Sequence, residues 1–161
     1  YRDQYGCNYI AAMPTNLYGP NDNFDLNNSH VLPALIRKFH TAKIENIPFV
    51  EVWGSGSPMR EFLHVDDLAD ACLFLMESYD DREFVNVGTG TDITIKDLAL
   101  EIKEIVGYKG EIKWNTDKPD GTPRKLMDVS KIHRLGWKHQ IALNEGIRAV
   151  YKDVIESELF V

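Results

Sequence analysis

Met13-Pro-Thr-Asn-Leu-Tyr-Gly-Pro-Asn-Asp-Asn-Phe-Asp-Leu-Asn-Asn-Ser-His30 is the stretch from which the fold class is read. The apolar run Tyr9–Met13 leads into it and reads as a strand that ends at a Pro-Thr-Asn-Leu-Tyr-Gly-Pro turn. A polar loop rich in Asn and Asp follows, and helical spacing opens at Ser29. Open α/β sheets hold ligands where a strand delivers its C-terminal end into a loop. Thr15, Asn16 and the amides and carboxylates beyond them supply donors and acceptors there, with few apolar atoms to bury. The stretch therefore reads as a ligand-facing edge; the plainer alternative is a long surface loop.

Outward from it, Leu32, Leu35, Ile36 and Phe39 recur at helical spacing, with Ser29 as the expected N-cap and Pro33 tolerated in the first turn. His30, Ala34, Arg37 and Lys38 fall on the opposite face of that helix. Phe49–Trp53 reads as a strand closed by Gly54-Ser-Gly56. Arg60–Val65 reads as extended and runs into Asp66-Asp67, acidic residues suited to the start of a helix. Leu68, Ala71, Cys72 and Leu75 form that helix's apolar stripe. Phe84–Val87 is another strand, followed by Gly88-Thr-Gly90; Thr94 with Asp97 is a capping box opening a helix with Ile95, Leu98, Ile102 and Ile105. A strand at Glu111–Trp114, a loop over 115–125, a short helix near 129–135 and a final helix with Leu143, Ile147, Val150 and Val154 complete the pattern. Strands alternating with helices make an α/β or α+β chain.

The 161 residues suffice for one domain with a real core, and 43% hydrophobic with 27% charged content is ordinary for a globular protein. No run of about 18 apolar residues is present, so no membrane span is expected. A net charge of -7 argues against nucleic acid as a partner. Cys7 and Cys72 form neither a disulfide framework nor a metal-ligand pattern, and are expected as free thiols of a reducing, cytoplasmic compartment. The chain opens at Tyr1 without a methionine or a secretion-type sequence, which suggests a processed chain or a piece of a longer one.

Gly54-x-Gly56 and Gly88-x-Gly90 lack the third glycine of a dinucleotide fingerprint and read as turn glycines. No nucleophile elbow and no metal-binding spacing is present, and His64 reads as an ordinary helix-entry histidine. The cations carry more information. Arg60, Arg124 and Lys125, read as loop residues, and Lys38 on its helix face offer groups able to clamp a diphosphate, with Trp53 lining the pocket.

Five runs together resemble one family: Met13-Pro-Thr-Asn-Leu-Tyr-Gly-Pro-x-Asp-Asn-Phe, Asn28-Ser-His-Val-x-Pro-Ala-Leu, Val52-Trp-Gly-Ser-Gly-x-Pro-Met-Arg-Glu-Phe-Leu-His-Val-Asp-Asp, Asn86-Val-Gly-Thr-Gly and Lys118-Pro-Asp-Gly-Thr-Pro-Arg-Lys-Leu. They resemble the GDP-L-fucose synthases, epimerase-reductases among the extended short-chain dehydrogenase/reductases. The resemblance implies an α/β fold: residues 1–30 would be the end of a Rossmann-type NADP-binding domain. Residues 31–161 would be mainly a small mixed α/β substrate-binding domain, with some segments returning to the Rossmann sheet. The family's Gly-rich loop, catalytic serine and Tyr-x-x-x-Lys pair precede Tyr1, and no tyrosine here has a lysine four positions later. The piece alone is therefore expected to be inactive and not to bind NADPH stably.

For the whole enzyme the resemblance implies 3,5-epimerisation of GDP-4-keto-6-deoxy-D-mannose followed by NADPH-dependent reduction at C4, in a homodimer. His30 matches the family's acid for epimerisation, also a cofactor contact; the partner cysteine of that acid is neither Cys7 nor Cys72. Pro14, Thr15, Asn16 and Leu17 match the segment along the nicotinamide end of NADPH. Lys38, Trp53, Arg60 and Asp120 match positions that hold the GDP-sugar, with Lys125 as an addition. The alternatives are another nucleotide-sugar epimerase or dehydratase, or a sugar-nucleotide binding module without catalysis.

Overall fold

A computed structural model describes residues 1–157 and 159–160. The chain is α/β, built from short parallel and mixed sheets with helices packed on them. Strand β1 (Ala12–Pro14) pairs in parallel with β5 (Val85–Val87), placing Met13 opposite Asn86. After Thr15 the chain extends again as β2 (Asn16–Tyr18), parallel to the second half of β4 (Met59–His64), with Asn16 opposite Phe62 and Tyr18 opposite His64. The opening strand thus starts later than the run Tyr9–Met13 suggests, and the expected turn at Pro14–Tyr18 is extended. Pro14 is tolerated because it closes β1, where its missing donor breaks no ladder, and Thr15 N–H instead donates to the Val87 carbonyl at 3.0 Å.

The first half of β4 pairs with two further strands, antiparallel with β6 (Asp92–Thr94) and parallel with β8 (Arg124–Lys125). Arg60, Arg124 and Lys125 therefore lie in strands rather than loops. A strand of two or three residues is too short to show a period, which is why β6 and β8 left no trace in the pattern. β3 (Phe49–Trp53) pairs in parallel with β7 (Glu111–Asn115), and its alternation buries Val50 and Val52.

Helix α1 (Arg2–Tyr5) is a single turn before the sheets begin. Helix α2 (Val31–Ile44) buries Leu32, Leu35, Ile36 and Phe39 as its spacing requires. Its N-cap is His30, not Ser29, and no side chain caps it. The cause is upstream: Asp25 folds the residues before the helix into a turn, its carboxylate accepting from Asn27 N and Asn28 N and its carbonyl from Ser29 N, which holds Ser29 one residue short of the cap position and leaves its hydroxyl unpartnered among the described residues. Helix α4 (Ile95–Val106) opens with the expected capping box: Thr94 Oγ accepts from Asp97 N at 2.9 Å and donates to its carboxylate at 2.6 Å. It ends at Gly107, whose φ of 76° is the left-handed conformation a C-terminal glycine supplies.

Helix α3 (Val65–Ser78) turns slightly further than its stripe suggests. Ala71 and Leu75 are buried, but Cys72 is exposed and Asp67 takes an inward position. Burying that carboxylate is tolerable because it accepts from Gln140 N and Ile141 N, at 2.9 and 3.1 Å, and so ties α3 to the segment before α6 (Leu143–Glu156). His64 caps α3 as expected, its Nδ1 accepting from Asp66 N. Helix α5 (Ser130–Leu135) contributes Ile132 to a smaller core with Leu63, Leu75, Val85 and Val87; α2, α4 and α6 form the larger one over β3 and β4. Among the described residues no helix is long and apolar enough to cross a membrane.

Tyr18 joins these layers, edge-on to His64 with ring centroids 5.3 Å apart and its hydroxyl against the backbone of Gly146 in α6. A Cβ at residue 146 would overlap that hydroxyl. Gly146→Ala gains roughly 1 kcal/mol of helix propensity, but overpacking a filled core costs about 1–3 kcal/mol. The expected outcome is a lower urea midpoint for Gly146→Ala; an unchanged or raised midpoint would refute this packing.

Candidate functional site

A cleft of about 270 Å³ lies where α2 meets the end of β3, with Ser29, Val31, Lys38, Val52, Trp53 and Ile95 among its walls. Trp53 ends β3 on the outward side of the alternation and stays 64% exposed, a large flat ring with little covering it. Lys38 Nζ donates to the Glu51 carbonyl at 3.1 Å and lies 5.8 Å from the Trp53 ring centroid; Lys118 Nζ lies 5.3 Å from the same centroid. Partial burial pushes the Lys38 ammonium below its ordinary pKa, and nearby Glu51 offsets part of that. Two ammonium groups beside one exposed indole suit a ligand that joins a flat ring to negatively charged groups.

The loop after β7 folds back onto the end of β3. Asp120 accepts from Ser55 N at 2.9 Å and from Ser55 Oγ at 2.6 Å, and these bonds hold its carboxyl below the usual range. Gly54 is required twice over: its φ is +82°, and the Asp120 carboxylate occupies the space a Cβ would take. Two residues on, Thr122 O accepts from Arg60 Nη1 at 2.7 Å, as does Met59 O. Arg60 therefore anchors the loop that carries Asp120, and it also lines a separate cleft of about 410 Å³ with Phe62, Thr91, Glu101, His139 and Leu143.

A third cleft, about 380 Å³, has Pro14, Thr15 and Asn16 on one side and Lys125, Leu126 and Met127 on the other. Asn16 Nδ2 donates to the Glu61 carbonyl at 2.7 Å, and Thr15 Oγ1 to the same oxygen at 3.4 Å. Leu17 turns away to pack on the smaller core. His30 is exposed at the start of α2, between Ser29 and Val31, which both line the first cleft.

The structure thus brings Lys38 and Trp53 into one cleft, beside the residues flanking His30. It brings Pro14, Thr15 and Asn16 together with Lys125 in another. Asp120 and Arg60 are joined through one loop, but Arg60 does not line the cleft of Trp53. Two contributors escaped the sequence pattern. Lys118 carried no signal beyond its charge. Glu61, fully buried, reads as one more charge beside Arg60 until its strand is known to be enclosed.

The sequence pattern of the NAD dependent epimerase/dehydratase family matches residues 1–88. GDP-L-fucose synthase 1 of Arabidopsis thaliana is 58% identical over 151 residues, covering 94% of this chain and 47% of that protein. GDP-L-fucose synthase of Escherichia coli K12 is 52% identical over 167 residues, covering 98% and 52% respectively. Among solved structures, an NADP-bound GDP-L-fucose synthetase of Naegleria fowleri superposes with a TM-score of 0.91 at 29% identity, over 99% of this chain and 50% of that one. The chain spans about half the length of the curated relatives it matches. With parallel strands ending at a ligand-sized cleft of mixed polar and apolar lining and this match across more than half its length, the chain belongs to the NAD dependent epimerase/dehydratase family.

Proposed function

We propose that this chain is the C-terminal, substrate-binding half of an NADPH-dependent GDP-L-fucose synthase, which epimerises GDP-4-keto-6-deoxy-D-mannose at C3 and C5 and reduces it at C4. The observation that carries the reading is the cleft at the end of β3, where exposed Trp53 and two ammonium groups stand beside the start of α2, on a chain 58% identical to a plant GDP-L-fucose synthase. In this reading residues 1–30 complete the NADP-binding sheet, β5 returns to it by pairing with β1, and most of residues 31–161 hold the sugar nucleotide. The whole enzyme is a cytoplasmic homodimer.

The cleft between Pro14–Asn16 and Lys125–Met127 has the size and, with Pro14, Leu126 and Met127 beside Thr15, Asn16 and Lys125, the mixed lining for the nicotinamide end of the cofactor. When bound, NADPH supplies hydride for C4. This chain's own residues bind and orient: Trp53 and Lys38 take the nucleotide, Asp120 fixes the loop over it, and Arg60 donates to the diphosphate while holding that loop. His30, exposed at the lip of the cleft, gives a proton to the face of the sugar opposite the base. An imidazole changes charge near neutral pH and suits that task.

Calorimetric competition on the full-length enzyme tests the substrate class: GDP is expected to displace the sugar nucleotide where UDP and dTDP do not, and equal competition by all three would overturn the assignment. Arg60→Ala is expected to weaken GDP binding by about 1.5–3 kcal/mol, the range for a hydrogen bond to a charged group; unchanged affinity removes Arg60 from the site. His30→Ala is expected to abolish epimerisation at C3 and C5 while GDP still binds, and inversion at the wild-type rate rules it out as the acid.

A further inference from the structure

Glu61 is completely buried in β4, yet among the described residues no ion pair reaches its carboxylate. Backbone N–H groups take up the charge instead. Oε1 accepts from Gly90 N at 2.7 Å and from Thr89 Oγ1 at 3.4 Å, and Oε2 accepts from Met127 N at 3.0 Å. A buried carboxylate is tolerable only with its lone pairs filled in this way. Gly88 completes the enclosure, since a Cβ there would overlap the carboxylate.

The same residue reaches the other way through its main chain, its carbonyl accepting from Asn16 Nδ2 at 2.7 Å and from Thr15 Oγ1 at 3.4 Å. Both walls of the 380 Å³ cleft are therefore attached to Glu61, in addition to the pairing of Asn16 with Phe62 and of Lys125 with Arg60. The Thr15–Asn16 wall is held by its carbonyl, and the Lys125–Met127 wall by its carboxylate.

We infer that Glu61 is a positioning residue: it sets the spacing across the cleft and holds Thr15, Asn16 and Lys125 in register with the sugar carbon and the nicotinamide. The inference rests on the proposed reductase reading for the meaning of that cleft. The nucleotide end stands apart from it, because the loop there is fixed by Arg60 to Thr122 and by Asp120 to Ser55.

The test is Glu61→Gln in the full-length enzyme. The glutamine keeps the shape but sets an amide NH2 against either Gly90 N–H or Met127 N–H, so one attachment is lost. A misplacement of about 1 Å can cost 10²-fold in rate, and kcat for NADPH-dependent reduction is expected to fall by about 10- to 100-fold while GDP affinity stays at the wild-type level. Gly88→Ala displaces the same carboxylate without altering its charge, is expected to reproduce that split, and decides the matter if Glu61→Gln fails to fold. Wild-type kcat in the folded variants overturns the inference, and so does a parallel loss of kcat, GDP affinity and folded fraction. A wild-type enzyme that does not turn over the GDP-4-keto-sugar sinks the reductase reading itself; an active wild type with unaffected variants sinks only the role of Glu61.

Discussion

Strand β4 has hydrogen-bonding edges to satisfy along six residues, and it satisfies them by changing partners half-way. Buried backbone donors and acceptors must be paired. Met59 to Glu61 pair with β6, Met59 and Arg60 also with β8, and Phe62 to His64 pair with β2. Three segments far apart in sequence are thereby held to one backbone. Side chains of the same strand add to this: Leu63 enters the smaller core, Phe62 the larger, and His64 caps the helix that follows. Two of the three clefts, those lined by Asn16 with Lys125 and by Arg60 with Phe62, lie where these segments meet, so their walls are fixed by the strand rather than by loops alone.

Charge in the clefts is organised through neutral backbone groups more than through ion pairs. Lys38 and Arg60 donate to carbonyls, and Asp120 accepts from a serine. Such contacts leave a cation's positive charge in place, whereas a carboxylate partner would cancel it. On a chain of net charge -7 that difference matters, because an anionic ligand must find local positive charge against a repulsive background. The Arg124–Asp92 pair differs: it joins β8 to β6, and the guanidinium holds the Asp92 carboxyl below its usual range.

Long, strongly patterned elements were legible in the sequence. Phe49–Trp53 alternates cleanly enough that its bounds could be read directly, and Thr94 with Asp97 announced α4 because a capping box has a fixed spacing. The failures share a cause, which is tertiary contact overriding local pattern. Ser29 is a good N-cap by type but lies within the Asp25 turn, and Cys72 sits one step off a stripe that Asp67 displaces by binding two distant N–H groups. β8 exists only because β4 needs a partner. Within the site, residue types announced Lys38, Trp53 and Arg60, but not which would share a cleft. Glu61 was hidden because a buried carboxylate and an exposed one are the same letter.

Strand β1 pairs with β5, so residues 12–14 find their partners only at 85–87. Ribosomes add about 5–20 residues per second, so β1 waits on the order of ten seconds for this partner to be made. β3 likewise waits for β7. During that interval the nascent chain carries unpaired strand edges, which invite association with other chains. Parallel pairing across such separations is slow to form. The topology that closes the clefts thus leaves these edges open until the later strands emerge.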